Sequence, residues 1–174
     1  MALPREYVSE DCAIARTLEI VGERWTLLIV RDAFYGVTRF SDFRDHLDVP
    51  RAVLAGRLSL LVEHGIMARI TAASGRNEYV LTAKGDELWP TIWSMLAWGT
   101  KHYIPEGRRR PYTHAGCGGS VALDGRCEAC GAQPQPSELT VHPRPEPSPI
   151  TAHKTDQVSR TLATPHQLLT PIAH

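Results

Sequence analysis

The sequence predicts an α+β protein that is mainly α-helical, with one small β-hairpin, a small cysteine-bearing lobe and a disordered tail. Apolar residues recur three and four positions apart over much of the first hundred residues, which is the period of amphipathic helices. Between residues 66 and 81 this period gives way to alternation around a Ser-Gly turn, which is typical of a hairpin. After Tyr112 the chain has no aromatic residue, and cysteines, glycines and prolines follow instead.

Length and composition exclude several classes of protein. At 174 residues the chain can bury one sizeable core, and its formal net charge of zero gives no global basic signal for nucleic acid. No apolar run approaches the roughly 20 residues that cross a bilayer, and the first residues lack the apolar stretch of a secretory signal. We therefore expect a cytoplasmic protein without membrane contact, whose reduced cysteines serve as metal ligands, reactive thiols or core residues.

Three helices are expected first, over residues 11–22, 23–36 and 38–47. In the first of them Ile14, Leu18 and Val21 are spaced to share one face, and residues 1–10 form a flexible lead-in. Glycines close the first two helices, and a brief turn follows the third.

The central element is a fourth helix, which begins at Pro50 and ends at Gly65. Its apolar back is formed by Leu54, Leu58, Leu61 and Val62. Its front carries Arg51, Ala55 and Ser59, with Arg57 a little to one side. Two short helices joined by a tight turn form a helix-turn-helix pattern, and a front of small residues can approach the major groove of DNA closely.

The hairpin that follows this helix predicts the wing of a winged helix-turn-helix. Ile66, Ala68 and Ile70 alternate before a turn at Ser74-Gly75, which places Arg76 at the tip. Arg76 could reach the adjacent minor groove or a phosphate; alternatively, it is a solvated turn charge.

A long helix is predicted over residues 83–103, with Thr82 as its cap. Because it is apolar over most of its circumference, it must be buried on more than one side. We expect a homodimer through this helix, formed by Leu88, Ile92, Met95, Leu96 and Trp98. The alternative is that the C-terminal segment folds back over it.

A set of spaced motifs runs from Cys12 to Gly99, about half of the chain. They are Cys12, Gly22-Glu-Arg-Trp25-Thr-Leu-Leu-Ile, Arg31, Arg39-Phe40, Leu54-x2-Gly-Arg57-Leu58-x2-Leu61-x3-Gly65-Ile66-x2-Arg69, Tyr79-x-Leu81-Thr82-x2-Gly85-x2-Leu88-x-Pro90 and Trp98-Gly99. Together these motifs resemble the HxlR family of bacterial winged-helix transcription regulators. The resemblance implies a dimer held by the N- and C-terminal helices, with the fourth helix as recognition helix. One departure is Ala13, where the family usually has proline.

An operator in double-stranded DNA is the expected partner, and half-sites about 34–36 Å apart would match a two-fold dimer. Arginines should bind phosphates, while the front of the fourth helix reads bases. The predicted DNA-binding residues are Arg39, Arg44, Pro50, Arg51, Ala55, Arg57 and Arg76.

Two features suggest a signal. In part of the family the cysteine at the position of Cys12 senses electrophiles or oxidants; a helix N-terminus favours its thiolate, whereas Glu10 and Asp11 oppose it. The alternative is a small residue packed at an interface. A small-molecule effector could occupy a cavity near the dimer helices, lined by Trp25, Phe34, Trp89 and Trp93, unless these are simply core aromatics.

The lobe carries a predicted zinc site. His114 and Cys117 are followed after nine residues by Cys127 and Cys130, with glycines beside each pair. Three thiolates and an imidazole suit tetrahedral, structural Zn²⁺ in a zinc-ribbon-like lobe, with no position open for substrate water. A redox-labile zinc switch and unpaired surface thiols are the alternatives, and His102 could replace His114.

The expected organisation has five parts. The tail is expected to be extended or disordered because it is rich in proline, and Leu168-Leu169-Thr-Pro-Ile172 is its only candidate anchor. The parts are a lead-in (1–10), a DNA-binding and dimerisation domain (11–104), a linker (105–112), the zinc lobe (113–132) and the tail (133–174).

The function expected from these parts is that of a dimeric transcriptional regulator, a repressor that also controls its own gene and responds to a small molecule or an electrophile. The rival hypothesis is a zinc-dependent protein-interaction adaptor with weak DNA binding, which the low net charge favours. The sequence shows no serine–histidine–aspartate set, phosphate loop or open metal site, so we do not expect an enzyme.

Overall fold

The computed structural model describes residue 7 and residues 11–146, 149 and 152–174. Its seven α-helices are α1 (Ala13–Val21), α2 (Thr26–Phe34), α3 (Phe40–Leu47), α4 (Arg51–Glu63), α5 (Ala83–Asp86), α6 (Trp89–Tyr103) and α7 (Gln157–Thr161). Its strands are β1 (Met67–Thr71), β2 (Asn77–Leu81), β3 (Tyr112–His114), β4 (Leu139–Val141) and β5 (His166–Gln167). Across this described part of the chain, no helix combines the length and apolar character needed to cross a membrane.

Helices α2, α3 and α4 form the predicted helix-turn-helix. Leu54, Leu58 and Leu61 are almost completely buried, as their spacing predicts. Asp48 makes the tight turn between α3 and α4 with a left-handed φ of 52°, a conformation that aspartate tolerates better than most residues. Gly65 has a φ of 66° just after α4, so the chain can turn directly into β1.

Strands β1 and β2 form the predicted wing. They pair antiparallel, with Met67 opposite Leu81 and Thr71 opposite Asn77. The backbone N–H of Tyr79 also donates to the Thr38 carbonyl at 2.8 Å, which attaches the wing to the loop before α3. The mainly helical winged-helix fold expected from the sequence is confirmed.

The long helix predicted over residues 83–103 is broken into α5 and α6. Thr82 caps the short α5, where its hydroxyl accepts from the Gly85 N–H at 3.2 Å. Pro90, near the start of α6, lacks the N–H that a continuous helix would direct at the Asp86 carbonyl, and its ring would crowd that carbonyl. The break therefore lies just before Pro90.

Helix α6 has one covered face and one exposed face. On the covered face Trp89, Ile92 and Trp93 are buried, and the Trp93 indole N–H donates to the Leu123 carbonyl at 2.9 Å. The C-terminal segment thus covers this face, as the alternative prediction held. On the other face Met95 and Trp98 remain 53% and 58% exposed.

The tail was expected to be extended or disordered; where the structure describes it, it is ordered and packed on the folded body, so disorder is the wrong alternative. Strand β4 pairs with β3 on one side and β5 on the other, forming a three-stranded antiparallel sheet. Leu168 and Ile172 of the predicted anchor are buried. Strands of two and three residues are too short to show periodicity, and their partners lie elsewhere in the chain, which is why composition indicated disorder.

The anchor segment is bound to the corner after α2. The Leu169 N–H donates to the Phe34 carbonyl at 2.8 Å, and the Ile172 N–H donates to the Gly36 carbonyl at 3.1 Å. A Cβ at Gly36 would lie 1.8 Å from the Thr170 carbonyl oxygen, so only glycine allows this approach. Residues of the winged helix, the lobe and the tail consequently share one hydrophobic core, and 113–132 is not a lobe with a separate core.

Candidate functional site

The front of α4 is an open strip of small side chains. Arg51, Ala52, Ala55, Gly56 and Ser59 are all exposed. A Cβ built on Gly56 would have no atom within 4 Å, so nothing in the described chain overhangs the strip. Pro50 is exposed directly before it. This is the geometry that lets a helix approach the floor of a major groove.

Two of the predicted arginines project from this surface without a carboxylate partner among the described residues. Arg51 lies over the Phe40 ring, with its guanidinium carbon 5.4 Å from the ring centre. Arg76 is exposed at the tip of the wing, beside Gly75 with its φ of 77°. The strip and these two guanidiniums together are named the α4 front.

Three other predicted arginines are already paired with carboxylates. Arg57 donates to Glu23 at 2.9 Å, and Arg44 pairs with Asp45 at 2.7 Å. Arg39 lies 3.7 Å from Glu78 of the wing. Because a neighbouring carboxylate partly neutralises each of these three arginines, each should attract a phosphate less strongly than Arg51. The pairing of Arg57 joins residues 34 positions apart, so local sequence gives no signal for it.

Cys12 is the N-cap residue of α1, and its thiol is exposed. Its side chain makes no cap hydrogen bond, but the nearby backbone N–H groups of Ala15 and Ile14 at the start of α1 lower the pKa of the Cys12 thiol. The predicted opposition from Asp11 does not prevent this lowering; Glu10 lies outside the described residues.

The four predicted metal ligands come together. Their ligand atoms all lie within 4.8 Å of one another. The Cys117 sulfur is 3.5 Å from His114 Nδ1, 3.4 Å from the Cys127 sulfur and 3.7 Å from the Cys130 sulfur. These separations are far beyond the roughly 2.05 Å of a disulfide. His102, the alternative ligand, packs instead against Trp98 with ring centres 5.1 Å apart.

Each half of the cluster is the same tight turn. The Gly118 N–H donates to the His114 carbonyl, and the Gly131 N–H donates to the Cys127 carbonyl, both at 2.8 Å. Both glycines have left-handed φ values, 72° and 71°. A Cβ at Gly119 would lie 2.7 Å from the Cys127 sulfur, so a glycine here lets the two turns close on each other.

Backbone N–H groups directed at the cysteine sulfurs favour their thiolate forms. The N–H of Cys130, supported by that of Ala129, lowers the pKa of Cys127 to about 6. The Gly119 N–H acts in the same direction on Cys117, but hydrogen bonding to Cys127 and burial outweigh it and raise the pKa of Cys117. Without a metal, Cys127 and Cys117 therefore cannot both ionise easily. A cation between the sulfurs would favour the thiolate form of both.

The four aromatics of the predicted effector cavity do not share one cavity. Phe34, Trp89 and Trp93 form a buried stack, with ring centres 4.9 Å and 5.6 Å apart, which continues to Tyr112 at 5.1 Å. Trp25 lies apart, in a different cavity. The first three are core aromatics, since all of them are buried. The sequence could not show this, because aromatic residues three or four positions apart are equally compatible with a packed core and with a pocket wall.

Comparisons with known proteins agree on the class of protein. Residues 20–107 match the HxlR-like helix-turn-helix family. An uncharacterised HTH-type transcriptional regulator of Mycobacterium tuberculosis is 39% identical over 139 residues, which cover 78% of this chain and 88% of that protein. The HTH-type regulator YvaP of Bacillus subtilis is 34% identical over 101 residues, covering 56% and 94% of the two chains.

Solved structures give the same result. The crystal structure of the transcription factor PA1607 is similar with a TM-score of 0.53 and 37% identity, covering 68% of this chain and 95% of that one. The HTH-type transcriptional regulator ytcD is similar with a TM-score of 0.50 and 25% identity, covering 54% and 99%.

Proposed function

The chain belongs to the HxlR-like helix-turn-helix family of transcriptional regulators, and from this membership we propose that it represses transcription as a homodimer bound to an operator in double-stranded DNA. Its own gene is a proposed target. Because the relatives are bacterial and the target is chromosomal DNA, we place it in the cytoplasm of a bacterium. The observation that carries the proposal is the α4 front, an open strip of small residues flanked by two arginines that have no carboxylate partner within the described part of the chain.

Within this proposal Ala55 and its neighbours on the α4 front contact base edges, and Arg51 and Arg76 bind phosphates or bases on either side. Pro50 begins α4 at the DNA surface. Arg39, Arg44 and Arg57 contribute less, because binding a phosphate would first require release of their carboxylate partners.

We further propose that the dimer forms through the exposed face of α6. Met95 and Trp98 lie there, and Leu88 and Leu96 are half-buried beside them. Ile92 is already buried inside its own chain, so it supports the helix instead of contacting a partner. A two-fold pair would set the distance between the two recognition helices.

We propose that the four-ligand cluster holds structural Zn²⁺. With metal–sulfur bonds near 2.3 Å and a metal–nitrogen bond near 2.05 Å, a tetrahedron has edges of about 3.6–3.8 Å. The separations from the Cys117 sulfur, 3.4–3.7 Å, are within a few tenths of an ångström of these edges. Four protein ligands fill the tetrahedron, so the ion would stabilise the lobe and leave no position for a reacting water.

The regulator proposal is tested by binding to a duplex from the intergenic region upstream of the protein's own gene. We expect tight binding that weakens by orders of magnitude between about 50 and 200 mM salt, and a loss of roughly tenfold for Arg51→Ala. Arg57→Ala should lose less, because Glu23 already holds that guanidinium. Fluorescence anisotropy with labelled duplex measures all three proteins.

The opposite result is equally informative. If the wild-type protein shows no salt-dependent affinity for this duplex or for a genomic library of fragments, the zinc-dependent interaction adaptor becomes the better proposal. If Arg57→Ala loses more than Arg51→Ala, the α4 front is not the surface that meets DNA.

We propose that Cys12 gives the regulator its response to electrophiles. Its exposed thiol at the N-terminus of α1 should react with N-ethylmaleimide before the three sulfurs of the proposed zinc site, and the modification should weaken operator binding severalfold by disturbing the start of α1. Mass spectrometry and anisotropy before and after treatment measure both effects. An equal response by Cys12→Ser would remove Cys12 from the mechanism.

A further inference from the structure

A cavity of about 460 Å³ lies where the tail meets the helix-turn-helix. Its walls come from the start and inner face of α2, from the end of α3, from Arg110 just before β3, and from tail residues within and on both sides of α7. No residue of α6 lines this cavity, but its arginines, with Leu28 and Tyr35, also line a neighbouring cavity that reaches Met95 and Leu96 on the exposed face of α6. Its volume is in the range of small-molecule sites.

One side of this cavity is apolar. Trp25, Leu28, Leu47 and Leu162 line it and are named the apolar wall. All four are buried or half-buried, so the wall is shaped by packing and exists before any ligand enters.

The other side is strongly positive. Arg31, Arg110 and Arg144 line the cavity and are named the arginine cluster; Lys154 and His46 line it as well. None of the described lining residues is acidic. The nearby carboxylates lie outside it and are occupied: Asp32 by Arg31 at 2.5 Å and Asp156 by His46 at 3.0 Å.

The arginine cluster carries more positive charge than the described chain neutralises. Burial lowers the pKa of Arg110, and the neighbouring charges of Arg144 and Arg31 lower it further. Nη1 of Arg110 donates to the carbonyl oxygens of Leu162 at 2.8 Å and of His142 at 3.2 Å. Both acceptors are neutral, so they do not cancel the arginine's charge. Nη1 of Arg31 and the whole Arg144 guanidinium have no hydrogen-bond partner among the described residues. Three guanidiniums line this cavity and Asp32 is the carboxylate paired with one of them, so a net positive charge is left that a bound anion would neutralise.

We propose that this cavity binds a small amphiphilic carboxylate. Its carboxylate accepts hydrogen bonds from the arginine cluster, where bidentate guanidinium–carboxylate geometry is available. Its apolar part lies along the apolar wall. A medium-chain fatty acid or an aromatic acid fits this description in both size and polarity.

Such a ligand would tie the tail to the DNA-binding domain. Arg31 belongs to α2, whereas Arg144 and Leu162 belong to the tail, so the bound anion bridges them. Lys154 already donates to the backbone carbonyl of His46 near the end of α3. The role of this cavity as the effector site rests on the proposed regulator function; ligand binding itself does not.

The test uses the full-length, metal-loaded protein without DNA and octanoate as the probe. Isothermal titration calorimetry should show octanoate binding to the wild type and binding about tenfold weaker to Arg144→Met, which removes a charge but no internal hydrogen bond. Arg69→Met removes an exposed charge outside the cavity and should leave the affinity unchanged. Octanoate should also slow tryptic cleavage after Lys154, which lines the cavity.

Octanamide and inorganic phosphate separate the two parts of the proposal. Octanamide keeps the apolar part and should bind at least tenfold more weakly than octanoate. Phosphate keeps the negative charge and should not match octanoate either. Equal binding of octanamide, equal binding of phosphate, an unaffected Arg144→Met variant, or no octanoate binding would each overturn the proposal, whatever the outcome with operator DNA.

Discussion

Cys127→Ala is expected to unfold the lobe at residues 113–132 and to release the tail, leaving the winged helix folded. Structural zinc contributes about 10–16 kcal/mol of apparent binding free energy in small zinc domains, whereas whole domains are stable by about 5–15 kcal/mol. Removing one ligand therefore costs an amount comparable to the stability of a whole domain, and the few residues that this segment adds to the shared core do not replace it. Cys127 is also the buried member of the cluster, so its loss leaves a cavity as well.

The tail should follow because it is built on the lobe. Strand β3 contains the ligand His114 and pairs with β4, and β4 in turn pairs with β5. Without β3 in place, two- and three-residue strands have no template, since an isolated pair of short strands is barely stable in water.

Three measurements check this prediction. Metal analysis should give one zinc per chain in the wild type and less in Cys127→Ala. Near-ultraviolet circular dichroism should change as Trp93 loses Leu123, and trypsin should cut after Arg126 and Lys154 much faster. Cys12→Ala, which removes a cysteine outside the cluster, should behave as the wild type. A Cys127→Ala protein with wild-type protease resistance would show that the cluster is not a structural metal site.

Trp98→Glu is expected to convert the proposed dimer to a monomer and to weaken operator binding at least a hundredfold. Trp98 is 58% exposed, so a two-fold contact could bury roughly 150 Å² of this side chain from each copy, worth about 3–4 kcal/mol per copy. A buried glutamate would replace this gain by a desolvation cost. A monomer reaches one half-site only and loses the benefit of the second.

Light scattering during size-exclusion chromatography gives the mass, and anisotropy gives the affinity for the operator. Ala173→Glu adds the same charge at an exposed tail position and serves as the matched control. A monomeric wild type, or a Trp98→Glu protein that remains dimeric, would contradict the proposed interface. Retained dimerisation with lost DNA binding would locate Trp98 in another role.

Regular elements of this protein were predictable because their signals are local. The buried side of α4 follows from the spacing of Leu54, Leu58 and Leu61 alone. The turn of the wing is indicated by the dipeptide Ser74-Gly75. The approach of His114 to Cys117 and of Cys127 to Cys130 was predictable for a related reason, since residues three positions apart within a tight turn come together whatever the rest of the fold does.

Contacts between distant segments were not predictable. The pairing of Arg57 with Glu23 depends on how α4 packs beside the start of α2, and the sequence of either helix is equally compatible with a free arginine. The same holds for the tail, whose strands gain their hydrogen bonds from partners that composition does not reveal. Phe34 and Trp89 illustrate a third limit, because apolar spacing does not distinguish a packed core from a cavity wall.

Attachment of the tail at Gly36 also determines when the molecule can be completed. The His166 imidazole contacts the Tyr35 carbonyl across 131 positions of chain, so residue 166 leaves the ribosome long after the segment that it binds. The winged helix must therefore fold during synthesis before the anchor segment covers the corner after α2. Closure of this long loop therefore follows synthesis of the winged helix, and a nascent chain passes through a period in which the cavity is open on its tail side.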